Sequence, residues 1–79
     1  MKIHYWFHAR KASGRPEETW TVDAPMTQDA FWAAAIARHP ALEALRPCCR
    51  LARNEQFMVP GETLCDTDTV AFIPPVSGG

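Results

Sequence analysis

The chain opens on a two-residue alternation. In KIHYWFH, Ile3, Tyr5 and Phe7 fall on one side and His4, Trp6 and His8 on the other, the pattern of a half-buried strand. ARKASGRP breaks the pattern with Gly14 and Pro16 and reads as a hairpin-type loop. EETWTVD alternates again and predicts a second strand, ended by Pro25. The period then changes. Thr27 stands at an N-cap position, and QDAFWAAAIARH carries a wide apolar stripe through Phe31, Trp32, Ala35 and Ile36. Asp29 in the first turn and Arg38 and His39 in the last suit the helix dipole, and Pro40 stops the helix. ALEAL allows one further short turn. RLARN and EQFMV read as short strands joined by a tight turn at Asn54-Glu55, PGET as a turn, and LCDTD as a polar connector around Leu64. TVAFI, β-branched and aromatic, is the last strand.

The order strand, strand, helix, short strands, strand predicts an α+β fold. The first two strands pair as a hairpin, and the helix crosses over so that the last strand lies parallel to the first. This is a β-grasp (ubiquitin-like) roll: a mixed sheet of about five strands packed on one main helix. A ferredoxin-like sheet needs a second full helix, and ALEALRPCC is too short and proline-broken for one. With one helix, one sheet face is covered and the other should be polar. Ile3, Tyr5, Phe7, Val70 and Phe72 are assigned to the helix side. Trp6, Phe57 and Ile73 then share the outer face, where a cluster of large apolar residues signals partner docking.

Composition narrows the function classes. Net charge is −1 with both signs scattered, so no basic face for nucleic acid is expected, and no apolar run has the length of a membrane helix. The N-terminus lacks the features of a secretory signal. Three cysteines, two of them adjacent, do not make a disulfide framework. Cys48, Cys49 and Cys65 read as free thiols in a reducing cytoplasm. No metal spacing is present, and His4 and His8 on one strand face would stand roughly 13 Å apart, too far to share an ion. No nucleophile–base motif or phosphate-binding glycine loop occurs. Cys65 beside Asp66 is a poor nucleophile, and Asp66 and Asp68 are expected to shape a turn by accepting backbone N–H bonds.

The chemistry concentrates in the last residues, VAFIPPVSGG. At a usage of about 7% per glycine, a chance terminal Gly-Gly has a frequency on the order of 0.5%. Pro74 and Pro75 fix φ and aim the chain away from the sheet, Val76 and Ser77 continue it, and Gly78 and Gly79 let a backbone thread a narrow channel. Residues 1–75 are therefore expected to form the domain and 76–79 a flexible tail. A terminal carboxylate at Gly79 could be activated by adenylation and then attacked by sulfur.

DTDTVAFIPPVSGG resembles the C-terminus of the small subunit of molybdopterin synthase, a ubiquitin-like sulfur carrier of the MoaD/ThiS type. Leu64, Asp66, Asp68, Val70, Phe72, Pro74, Pro75, Val76, Gly78 and Gly79 fit the family pattern. YWFHARKASG resembles the family's first strand and following loop, Asn54 sits in a family-like turn, and length and element order agree throughout. The resemblance implies that a ubiquitin-activating-like adenylyltransferase uses ATP to adenylate Gly79, and that a persulfide donor converts it to a thiocarboxylate. It implies that Gly78 and Gly79 enter the large synthase subunit, in a heterotetramer, and deliver sulfur to cyclic pyranopterin monophosphate. Catalytic groups would belong to the large subunit, with no cofactor or metal held by this chain. Trp6, Phe57, Ile73, Pro74, Pro75, Val76 and Ser77 would contact partners. Three alternatives stay open: a carrier for another pathway (thiamine, cysteine, a thio-metabolite or tRNA thiolation), a protein-conjugating modifier, and a plain interaction domain. Thiamine-type carriers are usually shorter and lack the Pro-Pro.

Overall fold

The computed structural model describes residues 1–74. Its main sheet has five strands: β1 (Lys2–His4), β2 (Glu17–Thr19), β4 (Arg50–Arg53), β5 (Gln56–Phe57) and β7 (Thr69–Ile73), in the order β2-β1-β7-β4-β5. A second, two-stranded sheet joins β3 (Met26–Thr27) to β6 (Thr63–Leu64). Helix α1 spans His8–Ser13, the main helix α2 spans Gln28–Arg38, and a 3₁₀ helix spans Pro40–Leu45. β1 and β2 pair antiparallel, and β7 lies parallel to β1 with Ile3 opposite Val70. β4 runs antiparallel to β7, with Leu51 opposite Phe72. This is the expected β-grasp arrangement, with the crossover returning β7 to the centre of the sheet. Among the described residues no helix is long and apolar enough to cross a membrane.

Local chemistry accounts for most element ends. The Thr27 hydroxyl accepts the Ala30 N–H at 3.0 Å, capping α2 as the sequence suggests. The β4–β5 hairpin turns through two residues, Asn54 and Glu55, both at positive φ (51° and 71°). That is the handedness a two-residue hairpin turn requires. Asn54 also ties the turn to β7: its amide oxygen accepts from Thr69 N–H and its amide nitrogen donates to Asp68, each at 2.9 Å.

Three expectations need correction. The 9–16 segment is not a plain loop: α1 fills it, with Ala9 buried and Gly14 closing the helix at φ 76°. Ala9 and Ala12 stand one helical turn apart, and Gly14 is a C-terminal glycine signal that the hairpin reading took for a turn. Phe7 does not join Ile3 and Tyr5. β1 ends at His4, the chain bends so that Ala9 N–H reaches the Trp6 carbonyl at 3.0 Å, and Phe7 turns outward, 74% exposed. His8 accordingly sits in α1 rather than on a strand face. The second strand is shorter than EETWTVD: past Thr19 its backbone meets Met1 at Trp20 and then leaves the sheet for the 65–68 turn. Trp20 N–H goes to the Met1 carbonyl and Val22 N–H to the Asp66 carboxylate, both at 2.8 Å.

The core centres on Phe72. Tyr5 stacks on it at 5.5 Å, Phe31 lies at 5.5 Å, and Trp32 meets it edge-on at 5.0 Å. Ile3, Leu42, Leu51, Leu64 and Val70 close the rest, all buried. Burying such side chains contributes roughly 1.5–3 kcal/mol each, the main source of stability in a chain this short.

Candidate functional site

Pairing in register sends alternate residues of β1, β4 and β7 to the outer face. The structure brings Trp6, Phe57 and Ile73 together there, around a hollow of about 340 Å³ that His4, Ala52, Glu55, Thr69 and Ala71 complete. Ala52 and Ala71, opposite one another across β4 and β7, are nearly buried. Their small side chains make a floor, while Trp6 (46% exposed) and Phe57 (50%) stand up as walls. His4 stacks against Trp6 at 6.0 Å between ring centres, and the Arg50 guanidinium lies 4.1 Å over the Phe57 ring. Both contacts limit the freedom of the exposed aromatics, which reduces the ordering cost of binding. Ile73 closes β7 on this rim and Pro74 follows it. Pro75, Val76, Ser77, Gly78 and Gly79, and with them the expected boundary between domain and tail, lie outside the described residues.

Asp66 and Asp68 do the structural work expected of them. Asp68 accepts from Cys65 N–H at 2.7 Å and from Asn54, and these bonds hold its carboxyl below the ordinary range. Asp66 is likewise lowered, first by Val22 N–H and then by the Met1 amino group. Cys48, Cys49 and Cys65 are free. Burial, reinforced by Cys48, pushes the Cys49 thiol up to about 11, so it stays protonated and unreactive near neutrality. Among the described residues no three acidic, cysteine or histidine side chains gather as metal ligands. A larger cleft, of about 590 Å³, lies between the start of α2, the start of β4 and residues 58–62, and shares no residue with the outer hollow.

Two features escaped the sequence reading. One is Phe7, beside the hollow. The other is a polar cluster under the inner face. Tyr5 Oη donates to Glu18 Oε1 at 2.8 Å, and His39 Nε2 lies 3.1 Å from the same oxygen. Burial opposes the Glu18 charge, but the Tyr5 hydroxyl, the nearby Trp20 indole and His39 together outweigh it and bring the carboxyl down to about 2. The buried Trp20 indole Nε1 makes no hydrogen bond among the described residues. Burial, with Glu18 beside it, pushes the Tyr5 phenol up. The signal was in the pattern: Glu18 shares its phase with Trp20 and Val22, both packed on the core.

The chain is similar over its full length to molybdopterin synthase sulfur carrier subunits. It is 39% identical to one from Chlamydomonas reinhardtii, covering 98% of that protein, and 30% identical to one from Arabidopsis thaliana, covering 82%. Among solved structures it superposes on SAMP1 from Haloferax volcanii with a TM-score of 0.81 at 27% identity, over 100% of this chain and 98% of that one. A molybdopterin converting factor subunit 1 from Pyrococcus furiosus, described as putative, shares the fold at a TM-score of 0.81 and 22% identity, over 95% of each chain. Residues 3–79 match the ThiS family, and the chain, a β-grasp domain by fold, belongs to that family of ubiquitin-like sulfur carriers.

Proposed function

We propose that this chain is the sulfur carrier subunit of molybdopterin synthase. The observation that carries the reading is full-length similarity to two such subunits, the nearer at 39% identity, joined to an apolar hollow on the rim from which β7 leads into the Gly-Gly sequence. In this reading the Gly79 carboxylate attacks ATP on a ubiquitin-activating-like enzyme, giving an acyl-adenylate and pyrophosphate. The outer sulfur of a persulfide displaces AMP to give an acyl disulfide, and a second thiol attacks its donor-side sulfur, forming a disulfide there and releasing Gly79 as a thiocarboxylate. The hollow then docks on the large synthase subunit, in a heterotetramer. Residues 74–79 enter that subunit's active site, and sulfur passes to cyclic pyranopterin monophosphate. The large subunit supplies the acid–base groups, and the free thiols Cys48, Cys49 and Cys65 fit work in the reducing cytoplasm.

Incubation with the activating enzyme, ATP and a sulfur donor should raise the intact mass by about 16 Da, one oxygen exchanged for sulfur. The product, mixed with the large subunit, should convert the pterin precursor to its dithiolene. A mass that stays constant beside a competent activating enzyme overturns the reading. The 27% likeness to SAMP1, a small archaeal modifier protein, supports protein conjugation as the second reading. Its signature is a different one: target lysines carrying the whole chain.

A further inference from the structure

Phe7 combines two properties that rarely meet. Its backbone sits at φ 51° and ψ −120°, a conformation suited to glycine at the first corner of a turn, and its ring is 74% exposed. Its side chain caps nothing in α1, although it occupies the N-cap position. The fold therefore carries a strained aromatic that gains little from the rest of the chain. Strain of this kind persists where a side chain must be aimed.

Phe7 is continuous with the outer hollow. Trp6 forms a wall of that hollow and also lines a second, open cleft of about 720 Å³ with His4, Tyr5, Phe7, Arg10, Pro16 and Glu17. The helix that follows Phe7 carries only basic charge. α1 reads HARKAS, with Arg10 and Lys11 and no acid. Glu17, the carboxylate in the second cleft, already pairs with Lys2 at 3.3 Å. Arg10 and Lys11 are exposed and make no ion pair among the described residues.

We propose that Phe7 is a specificity-determining anchor that extends the docking face beyond the Trp6–Phe57–Ile73 hollow. Its occupant is an apolar recess rimmed by carboxylates on the large synthase subunit. The recess takes the Phe7 ring, and its rim pairs with Arg10 and Lys11. The proposal rests on the reading of the chain as a synthase subunit, because that reading names the partner. A buried aromatic anchor surrounded by opposite charge is the arrangement that concentrates binding energy and directs partner choice.

The test measures affinity for the purified large subunit by calorimetry, with thermal melts of each free variant. Phe7→Gly should weaken binding about 10-fold or more while its melting temperature holds or rises, since glycine adopts this backbone freely. The double variant Arg10→Glu/Lys11→Glu should weaken binding about 10-fold and flatten its dependence on salt. Trp6→Ala is the control for the hollow itself. Wild-type affinity in Phe7→Gly, with Trp6→Ala impaired, overturns the proposal and leaves the synthase reading standing. No binding by the wild-type chain overturns both. A Phe7→Gly defect confined to the activating enzyme, with the large subunit bound normally, overturns the choice of occupant.

Discussion

Glu18 shows how one residue can link three elements. It lies on β2, accepts from Tyr5 at the end of β1, and faces His39 at the C-cap of α2. Arg15 adds a longer contact at 3.5 Å. A carboxyl whose pKa falls from 4.5 unfolded to about 2 folded stabilises the native state fully above 4.5 and loses that contribution as pH drops toward 2. The shift corresponds to about 3 kcal/mol by linkage, and solvent around a partly exposed group reduces it to about 1–2 kcal/mol. Glu18→Gln keeps an acceptor for the Tyr5 hydroxyl but removes the charge. Urea unfolding at pH 6 and pH 2.5 should show the wild type losing about 1–2 kcal/mol more than the variant across that interval. Equal losses would mean that the charge contributes nothing to the fold. The preference for an acid here was hidden in the sequence because Glu18 sits next to Glu17, and a pair of glutamates reads as solvent-exposed until one is seen to share a face with Trp20.

At the scale of elements, the β4–β5 hairpin offers the sharpest test, because its two turn residues have opposite suitability. Asn tolerates positive φ and here also makes two side-chain hydrogen bonds to the start of β7 and its preceding turn. Glu55 makes its turn at φ 71° with a side chain that disfavours it. Asn54→Ala should lower stability by about 2 kcal/mol, and Glu55→Gly should raise it by about 1 kcal/mol. Thermal melts of the two variants should therefore move in opposite directions. Movement in the same direction would show that strand pairing, not the turn, sets the register. Elements marked by side-chain chemistry were legible in this way: Thr27 announced α2, Pro40 its end, Asn54-Glu55 the hairpin, and TVAFI all of β7. The β3–β6 sheet was not, since each strand has two residues and no period can appear in two. Leu64 was seen as an apolar residue in a polar connector. Its partner Met26 is brought to it by the crossover, a contact no local pattern contains.

For the whole molecule, topology decides where the chemistry can act. β7 occupies the middle of the sheet, flanked by β1 and β4, so its C-terminal end emerges between two strands that both present aromatics or their supports on the outer face. An edge strand would release the chain from a site with one such wall. The parallel β1–β7 pairing was legible from element order, and with it the meeting of Trp6 and Ile73. The outward turn of Phe7 was not, because two-residue alternation cannot show where a strand stops. The inner and outer faces also divide the labour: Phe72 holds β7 to the helix side while Ala71 and Ile73 face the hollow. A charge placed on the outer wall should therefore disturb docking without disturbing folding. Phe57→Asp removes a half-exposed ring and puts a carboxylate near Glu55 on the same rim. Binding to the large synthase subunit should fall by about 100-fold, roughly 3 kcal/mol, while the melting temperature changes by no more than a few degrees. Retained affinity would move the docking face elsewhere on the domain. A collapse in stability would instead show that Phe57, through its contact with Arg50, belongs to the fold rather than to the partner.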